Sequence, residues 1–174
     1  MPVFILASAF ASASTDFANP FDMNEQSQLQ PVGSGKLHWF GFTIYEASLW
    51  TANGNYDGIE NNLPLALHIT YRRDIDSKAL VQRTVEEWKQ LDIFSNEKRK
   101  SWGKRLESIW PSVKPGDSIT TLFTEKKQTR FYHNSRFIDA IDEPEFGISL
   151  LSIWLHPETS EPDLREKLIG QRKS

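Results

Sequence analysis

The residues in this 174-residue chain best suited to bind a metal or carry a proton are its four histidines. His38, His68, His133 and His156 are scattered, and no pair stands at the spacing that brings two imidazoles onto one ion. Each reads as structural. Carboxylate pairs come next, because two of them in different environments can share acid and base work. Glu86-Glu87 falls on the solvent face of a predicted helix, and Asp139, Asp142, Glu143 and Glu145 gather near a predicted helix start, where the macrodipole accounts for them. Gly33-Ser34-Gly35 alone reads as a turn rather than a phosphate cradle, and the chain holds no Gly-x-Ser-x-Gly elbow, Walker loop or dinucleotide fingerprint. With no Cys, disulfides, thiolate nucleophiles and thiolate metal sites are excluded. Arg72-Arg73-Asp74 offers a cation near a cleft, with a surface ion pair from Arg72 to Asp74 or Asp76 as the simpler reading. This inventory calls for no metal and no cofactor.

Elements must position whatever chemistry exists, and residues 31–50 are the stretch around which they are organised. The run is dense in aromatic and β-branched side chains and is hinged at Gly41, so it predicts two strands, or one bent strand, in the middle of a sheet. If Gly41 introduces no bulge, Lys36, His38, Phe40, Phe42 and Ile44 share one face while Leu37, Trp39, Thr43 and Tyr45 share the other. Both faces are largely apolar, which predicts cover on both sides. Residues 26–32 read as an edge strand.

Beyond a turn-rich loop at 51–62, residues 63–73 alternate cleanly, with Leu65, Leu67, Ile69 and Tyr71 on one face and Ala66, His68, Thr70 and Arg72 on the other. Helices are predicted over 78–91 and from 95 or 96 to 110, the first opened by capping side chains at 74–77 and the second stopped by Pro111. Strands over 118–124, 129–133 and 136–141 form a meander. Asp142-x-x-Glu145 and Ser160-x-x-Asp163 then open two last helices, the final one ending at Gly170. The order predicts an α+β fold in which a mostly antiparallel sheet is backed by helices.

Size and composition fit one globular domain, 39% hydrophobic and 25% charged. A net charge of −3 creates no broad field for nucleic acid or an anionic membrane. Six Trp and eleven Phe fill a core first, with enough left over to line a pocket. Residues 2–13 form a short apolar run ending in Ala11-Ser12-Ala13, which fits signal-peptidase cleavage after Ala13 and predicts a periplasmic or secreted protein. No Lys or Arg precedes Lys36, so the basic n-region of such a leader is missing. No later stretch reaches the roughly 18 apolar residues of a transmembrane helix. The expected organisation is a leader at 1–13, a polar tether at 14–25, a domain at 26–170 and a basic tail at 171–174.

Taken in order, Val32-Gly33-Ser34-Gly35-Lys36, Gly41-Phe42-x-Ile44-Tyr45-x-Ala47-x-Leu49-Trp50, Pro111-x-Val113-x-Pro115-Gly116-Asp117, Phe146-Gly147, Ile153-Trp154-Leu155 and Leu168-Ile169-Gly170 resemble the bacterial chalcone isomerase-like family. The resemblance implies an open-faced β-sandwich with a ligand cleft between sheet and helices. Plant enzymes of that fold use an Arg just after the first motif's glycine to guide a phenolate, and a Thr on the next strand to organise water. Fatty-acid-binding members keep the Arg and carry a Tyr in place of the Thr.

By that resemblance Tyr45 matches the binding proteins, while the Arg position falls near Gly35 with Lys36 as the nearest cation. The enzymes' further Tyr, Lys and Asn fall near Asp76, Ala79 and Arg83, so none is retained. The resemblance therefore implies a non-catalytic protein that holds a small amphipathic ligand such as a fatty acid, and the leader at 1–13 adds export. Tyr45 would bond the head group, Lys36 or Arg72 would balance its charge, and Trp39 would contact the tail. Two alternatives stand beside it: an intramolecular lyase closing a ring by oxa-Michael addition on a chalcone-like substrate, and a protein-interaction module using the aromatic surface.

Overall fold

The structure, a computed structural model, describes residues 29–171, so the leader at 1–13, the tether at 14–25 and residues 172–174 of the tail lie outside it. Strands β1 (Gln30–Trp39), β2 (Phe42–Thr51), β3 (Leu65–Tyr71), β4 (Ser118–Phe123), β5 (Thr129–His133) and β6 (Arg136–Ile141) form one sheet. Spatial order equals chain order, and every neighbouring pair is antiparallel. Helices α1 (Ser77–Leu91) and α2 (Asn96–Ile109) are inserted between β3 and β4, and α3 (Pro144–Leu155) and α4 (Pro162–Leu168) follow β6.

Residues 31–50 do form two strands, but at the margin of the sheet rather than its middle. Because each strand pairs with the one before it, the first must be an edge; the central places go to β3 and β4. The turn between β1 and β2 is Phe40-Gly41, with φ of 46° and 77°, the left-handed pair that a two-residue hairpin of matching twist requires. A bulge between Leu37 and His38 shifts the register, so the simple alternation expected across this hairpin fails at its outer end.

On β3 the period of two holds. Leu65, Leu67, Ile69 and Tyr71 join Val81 and Trp88 of α1, Trp102 and Leu106 of α2 and Phe146 and Leu150 of α3 in the main core. Ala66 points the other way and meets its register partners Trp50 and Leu122, with Leu29, in a smaller cluster to which no helix contributes.

Caps explain the helix starts only in part. Asp76 accepts from Lys78 N at 2.8 Å and Ser95 Oγ from Lys98 N at 3.3 Å, as their sequence positions suggest. The box expected from Asp142 and Glu145 does not form: Glu143 is the N-cap residue of α3 without a side-chain cap, its carboxylate accepts from Trp102 Nε1 at 2.9 Å, and Glu145 pairs with Lys98. Tertiary partners outbid the local cap.

Gly33-Ser34-Gly35 is strand, not turn. A Cβ on Gly33 would lie 2.1 Å from Lys167 O, and one on Gly35 2.7 Å from Leu164 Cδ1, so these glycines let α4 lie directly on β1. Gly170, at φ 77°, ends α4 as expected.

Candidate functional site

A cavity of about 820 Å³ opens between the outer half of the β1–β2 hairpin, helix α1 and the end of α3. Its walls are mostly apolar, with Leu37 and Ile44 from the hairpin, Ile75 and Leu80 at the start of α1, and Trp110 and Ile153 behind. That size and lining fall in the range typical of small-molecule sites. Trp110 is buried, and its indole N–H has no hydrogen-bond partner among the described residues.

The inner end is polar. Tyr45 on β2 stands opposite Leu37 on one side and Tyr71 on the other, and the two tyrosine rings meet edge to face at 6.1 Å. Trp154 Nε1 donates to Tyr45 Oη at 2.9 Å. An indole can only donate, so the phenol oxygen accepts and the Tyr45 proton remains to be offered elsewhere. Burial pushes the Tyr45 hydroxyl far above its ordinary value, against the opposing pull of the Trp154 bond, and burial does the same for Tyr71. Both phenols are hydrogen-bond donors at neutral pH, not bases.

Beside them Arg83 pairs with Glu87 one helical turn on. The Glu87 side chain is only 6% exposed, and its second oxygen accepts from Ser160 Oγ at 2.8 Å. Glu161 also lines the cavity, its carboxyl held above the usual range by burial first and by the neighbouring Glu87 second.

Trp39, Phe40 and Phe42 form the outer rim and are exposed. The Arg73 guanidinium lies 4.4 Å over the Phe42 ring, and His38 Nδ1 is 3.2 Å from Thr43 Oγ1.

Of the four residues expected at the site, Tyr45 and Trp39 line the cavity and Lys36 and Arg72 do not. Lys36 is the register partner of Glu46, and its ammonium lies 3.0 Å from that carboxylate; Arg72 reaches the same carboxylate at 3.3 Å rather than Asp74 or Asp76. Glu46 follows Tyr45 in the strand and so projects from the opposite face, taking both cations with it. The cations that line the cavity are Arg83, beside Tyr45, and Arg73, at the Phe42 rim.

Glu87 likewise departs from the solvent-facing position expected of it. α1 buries a wider arc than Val81, Val85 and Trp88, taking in Thr84 and Glu87. The i, i+4 spacing of Arg83 and Glu87 was the available signal, but the same spacing marks many exposed helix pairs. Ser160, expected to open the last helix, and Trp154, part of a family motif, gave no sign of these partners, which lie on distant elements. Gly35, where the family resemblance places an Arg, lies beneath Leu164 and Lys167 and has no room for a side chain. Among the described residues no group of three or more His, Asp or Glu could hold a metal ion, and no helix is long and apolar enough to cross a membrane.

Six antiparallel strands in sequential order, helices packed on the sheet, and a cavity between the two define an open-faced α+β sandwich of the chalcone isomerase type. A crystal structure of an Arabidopsis thaliana fatty-acid binding protein has this fold, with a TM-score of 0.65 at 10% identity, covering 86% of this chain and 91% of that one. A family model described as chalcone isomerase-like matches residues 11–170, and the chain belongs to that family. An uncharacterized protein of Haemophilus influenzae is 26% identical over 170 residues, 97% of this chain and 80% of that relative.

Proposed function

We propose that this chain is an exported, non-catalytic chalcone isomerase-fold protein that holds a small amphipathic ligand, of the fatty-acid class, in the cavity beneath the β1–β2 hairpin. The observation that carries the reading is the pairing of apolar walls with an inner end whose Tyr45 proton is free of its Trp154 bond. A carboxylate or carbonyl oxygen accepts from Tyr45, with Arg83 as the nearby cation, and the alkyl chain runs outward past Leu37, Ile44 and Leu80 toward Trp39. Each buried methylene contributes about 0.8 kcal/mol, so the tail supplies most of the affinity. The fold neighbour's ligand class agrees with this reading. Export rests on the small-x-small pattern at Ala11-Ser12-Ala13.

Native mass spectrometry of the chain purified from its own host, followed by solvent extraction, tests the proposal. The expected result is a stoichiometric lipid, and uptake of a long-chain fatty acid by the delipidated protein that weakens about tenfold in Tyr45→Phe. A bare protein that takes up no lipid on titration would refute it.

A further inference from the structure

Residues 37–44, Leu-His-Trp-Phe-Gly-Phe-Thr-Ile, hold no Asp, Glu, Lys or Arg, and they form the projecting end of the sheet's edge hairpin. Trp39, Phe40 and Phe42 are 67%, 82% and 59% exposed there. Phe40 occupies a left-handed turn position, where Asn, Asp or Gly is favoured and a bulky side chain is penalised. At that exposure the fold gains little from its ring in return.

Just behind the tip stands a collar of charge. Lys36 and Arg72 share the single carboxylate of Glu46, Arg73 lies over Phe42, and Asp74 is beside it, so three cations face two carboxylates. An apolar aromatic tip with a basic collar matches a bilayer, whose interface favours Trp and whose anionic headgroups attract Lys and Arg. The three side chains together expose roughly 300–500 Å², given about 150–250 Å² for each aromatic. That is well short of the roughly 800 Å² per partner of a stable protein interface. A narrow, convex tip suits insertion among lipids better than docking a second copy.

We propose that the β1–β2 hairpin tip is a membrane-docking element that inserts Trp39, Phe40 and Phe42 into the interfacial layer of an anionic bilayer. The same three residues form the rim of the cavity, so docking sets the cavity mouth against the lipid. A hydrophobic ligand then enters or leaves without crossing water; this transfer step rests on the ligand reading above, whereas docking does not.

Co-sedimentation of the full chain with phosphatidylcholine–phosphatidylglycerol vesicles free of fatty acid, compared with Phe40→Asn, tests the docking. Asn suits the left-handed turn, so the variant keeps the hairpin and its melting temperature while losing the apolar anchor. Vesicle partitioning should fall about tenfold in Phe40→Asn and be retained in Phe40→Trp. A wild-type chain that stays in the supernatant, a Phe40→Asn chain that sediments equally well, or self-association abolished by Phe40→Asn without vesicle binding would each overturn the proposal. A chain that takes up fatty acid yet ignores vesicles fails this proposal alone. One that binds vesicles but no fatty acid fails only the ligand reading.

Discussion

Trp154 Nε1 donates a 2.9 Å hydrogen bond to Tyr45 Oη, tying α3 to β2 across 109 positions of sequence. The bond uses the phenol's acceptor side and leaves its proton for a second partner to accept. Tyr45→Phe orphans the partly buried indole N–H and removes the donor from the cavity. Urea denaturation should register a loss of about 1 kcal/mol. Fatty-acid affinity should fall as well, whereas Trp154→Phe should lower stability and leave the Tyr45 donor available to ligand.

Arg83 stands at the cavity with its charge shared by the buried Glu87. Arg83→Gln is expected to weaken a long-chain fatty acid more than its methyl ester, because only the acid carries a charge for the guanidinium to balance. Calorimetric titration of both ligands reads the difference. The same change leaves Glu87 with Ser160 alone, at a cost of about 1–2 kcal/mol, less than for a fully buried pair because the Arg83 side chain is 64% exposed.

Gly33 lies under the C-terminal turn of α4, where an added Cβ would be 2.1 Å from Lys167 O and 2.8 Å from Leu168 O. Backbone cannot step aside as a flexible side chain would. Gly33→Ala should destabilise the protein by about 3 kcal/mol and loosen α4, seen as faster amide exchange over residues 162–170. Gly41→Ala, on a turn where a Cβ meets nothing within 4 Å, should cost only the strain of its φ of 77°.

His68 sits on the sheet face away from the helices, 2.8 Å from Thr120 Oγ1 and 3.3 Å from Thr70 Oγ1, and burial lowers its pKa to about 4. The folded value lies below the unfolded 6.5, so between these values the unfolded chain binds a proton that the folded chain does not. The stability is complete above pH 6.5, falls as pH drops toward 4, and levels off below that. The loss reaches about 3 kcal/mol. His68→Gln should flatten that slope in denaturation curves taken across the window.

Much of the fold was legible because its signals are local. The alternation of Leu65, Leu67, Ile69 and Tyr71, the caps at Asp76 and Ser95 and the stop at Pro111 act within a few residues, and the observed elements follow them. The candidate site was legible only at Tyr45 and Trp39. Lys36 and Arg72 stand away from it because strand alternation puts them on the faces opposite Tyr45 and Tyr71, where Glu46 pairs with both.

Strand and helix order, the family and the aromatic hairpin could be read along the chain, since periodicity and motif spacing are local properties. That β1 is an edge, that Gly33 and Gly35 admit α4, and that Arg83, Glu87, Ser160 and Trp154 gather around Tyr45 emerged from the packed fold. Those outcomes depend on contacts between residues far apart in sequence. A hydrogen bond or a buried carboxylate is settled by whatever packing brings within about 3 Å, which no local pattern encodes.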